Sequence, residues 1–282
     1  MTVIGRNLGK ATGVRALWRN RSTLTTLVQR DLAVKYQRSV LGYFWSLIEP
    51  MGMAAIYYFV FGILYGHSGK NVDGGDYAVF VVSGIFAWQW ASSAMSESTR
   101  ALTSQSSLIT TMRVPREIFP VAKVIARFAE FAAGIPIIIL FAIFLGGGFK
   151  SSIWALPLAI LLQTCLLVGL AFILGSVNVL MRDVERFMRL AMRVLFYAAP
   201  IIYPLTKVLG DSENPSNVPG WLQGLYMANP YVGIIQLHHA AWNPNELPSW
   251  GLLGYTAVVC VSVLFLGWAL FKKLENSVLK EL

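Results

Sequence analysis

Few side chains in this sequence are placed to do chemistry, and those few argue against an enzyme. Among the acids only Glu49 and Glu130 lie within or beside long apolar runs, whereas intramembrane catalysis or ion coupling needs several titratable groups converging there. Glu49 precedes Pro50 inside one such run, where a carboxylate usually faces a cavity or a partner. Bonding to the turn made by Pro50 or to a neighbouring helix, proton relay, and contact with a polar substrate are all open to it. His238 and His239 are adjacent, so a helix points them to different faces, and no third ligand stands nearby; with His67 they predict no metal site. Together with Tyr231 and Trp242 they are candidates for contact with a sugar or headgroup, or for interfacial anchoring. Cys165 and Cys260 sit in apolar runs and read as packing. The patterns GxxxxGK[ST], HExxH, GxSxG and CxxC do not occur, so no cofactor is expected in this chain.

The aromatic side chains are unevenly spread. Tyr43, Phe44, Trp45, Tyr57, Tyr58, Phe59, Phe61 and Tyr65 crowd the first apolar run, and Phe86, Trp88 and Trp90 the second. Part of this is an interfacial belt, but residues 57–61 lie too far from the first turn to share one belt. Aromatic faces with polar tips suit a path along which sugars slide by stacking; helix packing accounts for the same residues equally well. On the first reading the path is lined by Trp45, Glu49, Tyr57, Tyr58, Phe61, Trp88 and Trp90.

What must position these groups is a membrane domain. Of the 282 residues 56% are hydrophobic and only 13% charged, about half the charged share of an average soluble domain. The apolar residues fall in blocks of about twenty, the length of helix that crosses a bilayer. Five spans are expected at about 40–66, 77–97, 121–146, 153–181 and 251–271. A sixth is expected at about 187–209, with Arg189 and Arg193 snorkelling to the headgroups. The fold class is therefore all-α: an integral membrane protein of six transmembrane helices over 40–271, with a basic arm over 1–39 and a tail over 272–282.

With 23 Lys and Arg against 14 Asp and Glu the formal net charge is +9, which in a soluble chain would suggest nucleic acid. Here the basic residues track the connections instead. The arm, the second-to-third connection (Arg100, Arg113, Arg116, Lys123, Arg127), the fourth-to-fifth (Arg182, Arg186, Arg189, Arg193) and the tail (Lys272, Lys273, Lys280) share one side. Only Lys70, Lys150 and Lys207 face the other. The richer side is cytoplasmic by the positive-inside rule, with both termini inside, and no nucleic-acid partner is expected. Within the arm, 22–38 sets Leu24, Leu27, Val28, Leu32 and Val34 among Arg21, Arg30, Lys35 and Arg38, as an interfacial amphipathic helix does. Residues 218–242 hold no Asp, Glu, Lys or Arg, yet Pro219, Gly220, Gly224, Asn229, Pro230 and Gly233 break the run. The expectation is a re-entrant pair of short helices entering from the outer face.

Several separated stretches carry a resemblance. RDLAVKYQRSVLGYFWSLIEP at 30–50, SSLITTMRVPREIFPVAKVIARF at 106–128, and FYAAPIIYP at 196–204 followed by NPYVGIIQLHHAAW at 229–242 are familiar as a set. They resemble the permease subunits of type-2 ATP-binding-cassette exporters of cell-surface polysaccharides: O-antigen, capsule, teichoic acid and lipid-linked galactan precursors. The likeness covers the chain after residue 20 and departs at Glu49, where a neutral residue is expected, and at Met112, where a basic one is common.

The resemblance implies a homodimer of this chain with two copies of a separate cytoplasmic ATPase, which binds the ATP and Mg. It implies a coupling helix between the second and third spans, with Ser106, Ser107, Leu108, Ile109, Arg113 and Arg116 at the joint. It implies a channel lined by the first, second and fifth spans, in the plasma (inner) membrane, with Tyr231, His238, His239 and Trp242 at the outer mouth. A polymer on a polyprenyl pyrophosphate would enter from the cytoplasmic leaflet, where Arg30, Lys35 and Arg38 either grip the pyrophosphate or anchor the helix to anionic lipid. The expected function is thus transport. A permease for a drug or small lipid, a membrane-embedded glycosyl- or acyltransferase and a passive channel compete with it. The aromatic first span and NPYVGIIQLHHAAW argue against the first; the scattered outer acids Asp73, Asp76, Asp211, Glu213 and Glu246 argue against the second.

Overall fold

The computed structural model describes residues 13–37, 39–64, 74–111, 114–145, 148–210 and 215–281. Helices α1 (Val14–Arg19) and α2 (Arg21–Tyr36) form the arm, and α3 (Trp45–Tyr57) follows a 3-10 turn over Gly42–Phe44. Beyond Tyr57 the helix widens into a π-helical stretch, Tyr58–Leu64. Next come α4 (Gly74–Thr99), α5 (Ser106–Thr111), α6 (Ile118–Phe144), α7 (Ala155–Leu180) and α8 (Val184–Tyr197). The chain ends with α9 (Thr206–Leu209), α10 (Gly220–Met227), α11 (Pro230–Ala240) and α12 (Trp250–Glu281). Among the described residues all regular structure is helical, apart from one isolated bridge between Gly210 and Pro215.

Five stretches are long and apolar enough to cross a membrane: Gly42–Leu64, Tyr77–Thr99, Ile118–Phe144, Ser151–Leu180 and Trp250–Glu281. They coincide with the five apolar runs of the sequence. No break occurs at 271, because Lys272, Lys273 and Lys280 continue α12 and the tail is helical to Glu281. The segment expected to be a sixth span differs. α8 stops at Tyr197, and a run of turns through Pro200 and Pro204 separates it from the single turn of α9. Proline lacks the N–H that a continuing helix needs, so 187–209 is a 14-residue helix followed by irregular chain. The 218–242 segment is indeed two short helices, α10 and α11, broken at Ala228 and Asn229. Asn229 caps α11 by accepting from Tyr231 N (3.0 Å), and Pro230 opens its first turn. The Asn229 side-chain amide also donates to the Ala198 carbonyl (2.8 Å), tying α11 to the end of α8.

α4 is the central helix, buried almost along its length against α6, α7, α3, α8 and α11. Its Thr99 hydroxyl turns back to the Met95 carbonyl, and Ser83 Oγ lies between the Phe80 carbonyl (2.9 Å) and Nδ1 of His239 on α11 (3.2 Å). A second core gathers Leu27, Ile109, Ile118, Phe119, Phe172, Phe271 and Val278, joining the arm, α5, α6, α7 and α12 at one end of the bundle. The arm helix α2, expected to lie at a membrane interface, is docked on protein through Leu24, Leu27 and Val28, while Val34 stays exposed.

Candidate functional site

Three helices enclose an open cavity of about 350 Å³. α3 supplies Met53 and Tyr57, α4 supplies Ile85, Trp88, Gln89 and Ser92, and α8 supplies Met192, Arg193, Phe196 and Tyr197. Spacing explains who points inward: Ile85, Trp88, Gln89 and Ser92 recur every three or four residues, as do Arg193 and Tyr197. The rings brace one another, Tyr57 against Phe196 at 5.5 Å, Trp88 against Phe196 at 6.0 Å and Trp88 edge-on to Tyr231 at 5.5 Å. The volume falls within the range of small-molecule sites, and the lining mixes aromatic faces with a few polar ends.

The aromatic residues expected on the path do not all meet here. Tyr57 and Trp88 line the cavity, and Phe61 stacks behind Tyr57 at 6.2 Å. Tyr58 instead stacks on Tyr77, and Trp90 is buried between Phe128 and Phe131 on the opposite face of α4. Trp45 is exposed at the start of α3. Phe196, Tyr197 and Arg193 of α8 went unanticipated, as did Gln89 of α4; the signal for the three on α8 was the amphipathic run VERFMRLAMRVLFY, which the span assignment flattened.

Glu49 lies in a narrow crevice of about 20 Å³ with Lys35, Ser46, Gln89, Arg127 and Glu130. Gln89 borders both crevice and cavity. Arg127, 1% exposed, pairs with Glu130 one turn on and, through Nε, with Glu97 at 3.3 Å. Lys35 reaches Glu130 at 3.0 Å and the Tyr36 hydroxyl donates to it at 2.6 Å. Burial first, and the bond to the Glu130 carboxylate second, push the Tyr36 phenol well above its usual range. Nearer the start of α2, Asp31 holds Arg30 at 3.2 Å and Lys123 at 2.8 Å. Arg30 and Lys35, expected at the pyrophosphate entry, thus each pair with a carboxylate; Arg38 lies outside the described residues.

The joint expected at 106–116 is partly inside the protein. Ile109 is 3% exposed in the second core, Leu108 packs against it, and Arg116 pairs with Glu275 of α12 at 2.8 Å. Ser106 is half-buried, Ser107 is exposed together with Thr110 and Thr111, and Arg113 lies outside the described residues. Beside this joint Glu117, 1% exposed, accepts from Trp268 Nε1 (3.1 Å) and Gly13 N (3.1 Å) and pairs with Lys272 (2.7 Å). One buried carboxylate thus joins the arm, α6 and α12.

The four residues expected at an outer mouth are all buried, none more than 5% exposed. His238 Nε2 donates to Gln163 Oε1 at 2.7 Å, and Gln163 passes its own amide to the Ala87 carbonyl at 2.9 Å. His239 Nε2 donates to the Pro200 carbonyl at 2.9 Å while its ring stacks on Phe80 at 3.6 Å. Gly84 makes room for it, since a Cβ there falls 2.6 Å from the ring. Tyr231 and Trp242 complete the same core. In this conformation the histidines fasten α11 to α4 and α7 and present no surface to a passing ligand.

A family model described as ABC-2 type transporter matches residues 22–238. An O-antigen export system permease protein RfbA of Klebsiella pneumoniae is 33% identical over 181 residues, covering 64% of this chain and 68% of its own. One of Myxococcus xanthus is 25% identical over 260 residues, 92% and 95% of the two chains. The polysialic acid transport protein KpsM of Escherichia coli is 21% identical over 262 residues, 91% and 95%.

Proposed function

Because the chain belongs to the ABC-2 type transporter family, we propose that it is the permease of an ATP-driven exporter moving a polysaccharide out of the cytoplasm. The polymer travels on a polyprenyl pyrophosphate, and two copies of this chain work with two copies of a separate ATPase in the plasma membrane. The observation that carries this reading is the aromatic cavity between α3, α4 and α8, open on one side, where a second copy would complete a conduit. Relatives named for O-antigen export and polysialic acid transport supply the substrate class. In this arrangement both termini are cytoplasmic, α8 and the chain after it form the fifth crossing, and α10 and α11 are the outer re-entrant pair. The exposed Ser107, Thr110 and Thr111 present the ATPase-facing side of α5.

Depleting the chain in its host and assaying the cell surface tests the reading. Lipid-linked polymer should accumulate inside as surface polymer falls, and purified chain should hydrolyse ATP only with its partner. Unchanged surface polymer on depletion refutes it.

A further inference from the structure

The aromatic cavity also holds a cation. Arg193 lines it from α8, beside Gln89 and Ser92 and the rings of Tyr57, Phe196 and Tyr197. Several other cations of α2, α6 and α8 are matched: Arg30 and Lys123 by Asp31, Lys35 and Arg127 by Glu130, Arg189 by Glu185. Among the described residues no carboxylate lies within 4.0 Å of Arg193. The planar fork of a guanidinium fits two oxygens of a phosphate or carboxylate at once. The adjacent rings take the face of a sugar, and Gln89 and Ser92 offer donors and acceptors for its hydroxyls. A neutral glycan leaves the cation unanswered, and a bare lipid tail leaves all three polar groups unanswered.

We infer that Arg193 is the docking residue for an acid-bearing sugar, whose phosphate or carboxylate oxygens pair with the guanidinium while the ring lies on the aromatic wall. The inference rests on the export reading and names the substrate class of its cavity. It also relocates the anion contact from α2, where carboxylates already occupy Arg30 and Lys35, to α8.

The test uses the permease–ATPase complex in nanodiscs of neutral phosphatidylcholine, with binding read by thermophoresis. The probes are polyprenyl pyrophosphoryl-N-acetylglucosamine, oligosialic acid, an uncharged oligosaccharide and phosphatidylglycerol. Arg193→Gln should weaken binding of an acidic saccharide by about tenfold and leave the uncharged one unchanged, with Arg193→Lys intermediate. Which acidic probe responds separates phosphate from carboxylate. In the wild type, the same probe should protect Arg193 from phenylglyoxal, read by mass spectrometry, a measurement that needs no variant to fold. Equal binding by Arg193→Gln, absence of protection, or phosphatidylglycerol protecting as well as the saccharides overturns the inference; the last outcome makes Arg193 a headgroup anchor. Because binding is read without transport, a complex that binds but never exports refutes the export reading alone. An exporter indifferent to Arg193→Gln refutes this inference alone.

Discussion

Replacing Gly267 by alanine tests how closely α12 must approach α7. A Cβ built at Gly267 falls 2.2 Å from the Gly169 carbonyl oxygen, and one built at Gly169 falls 2.5 Å from that of Val263. Ordinary contact begins at 3.4 Å, so the Gly267 methyl is about 1.2 Å short of room. The obstructing atoms are backbone, and no side-chain rotation relieves them. Helices pushed apart by about 1 Å forfeit up to half of the dispersion attraction along their contact, and α7 with α12 is the most extensive helix pair here. Overpacking typically costs about 1–3 kcal/mol, and two opposed backbones place Gly267→Ala at about 3 kcal/mol. At roughly 2 °C per kcal/mol, Tm should fall by about 6 °C. Gly254→Ala, on the same helix but facing open space, is the control; it gains helix propensity of about 1 kcal/mol. Both variants would be melted in detergent beside the wild type, with monodispersity checked by size exclusion. A Gly267→Ala Tm within about 1 °C of wild type, or equal losses in both variants, refutes the close-approach argument.

Arg127→Met strands Glu97 and leaves Glu130 with only Lys35 and the Tyr36 hydroxyl, so stability should drop by the roughly 3–5 kcal/mol of a broken buried pair; unchanged thermal stability would contradict this. Ile109→Asp should fail by lowering folded permease, whereas Ser107→Glu with Thr110→Glu should leave it folded and lose ATPase on co-purification. The reverse pattern would move the joint off α5. Tyr36→Phe removes one donor to a carboxylate and should free α2 at about 1.5–3 kcal/mol, read by hydrogen exchange. Since the folded phenol ionises above its unfolded value near 10, its contribution is complete below that pH and is lost as pH rises further. The gap between wild type and Tyr36→Phe should therefore hold from pH 7 to about 10 and narrow above; a gap that closes below pH 9 speaks against the Glu130 contact.

Hydropathy made the five long helices legible, because a helix crossing lipid cannot hide its length. The same averaging read 187–209 as one continuous helix, whereas the helix ends at Tyr197 and the chain turns through Pro200 and Pro204. Charge was illegible as chemistry. Lys35 and Glu130 stand 95 residues apart, and Trp268 and Glu117 stand 151 apart, so no local spacing announces either pair. His238 and His239 read as exit contacts or interfacial anchors because a partner that holds one of them inside, Gln163, sits 75 residues away on another helix. Arg193 read as a snorkelling anchor because its neighbours Trp88 and Gln89 belong to α4. What sequence periodicity gives is the face a residue occupies; which helix covers that face is decided by packing.

The tethering of α12 to the arm and to α6 also makes the protein a gauge of membrane thickness. From Trp250, exposed at the head of α12, to Lys272 in the Glu117 cluster the helix rises about 33 Å, close to the roughly 30 Å of a hydrocarbon layer. Most helices meet a thicker or thinner bilayer by tilting or sliding. α12 cannot slide, because Lys272 and Trp268 hold Glu117 at one end and glycine backbones lock it against α7 in the middle. Mismatch must then be absorbed by lipid deforming around the molecule, so its activity should depend on acyl-chain length, with an optimum set by the distance between one tryptophan and one lysine.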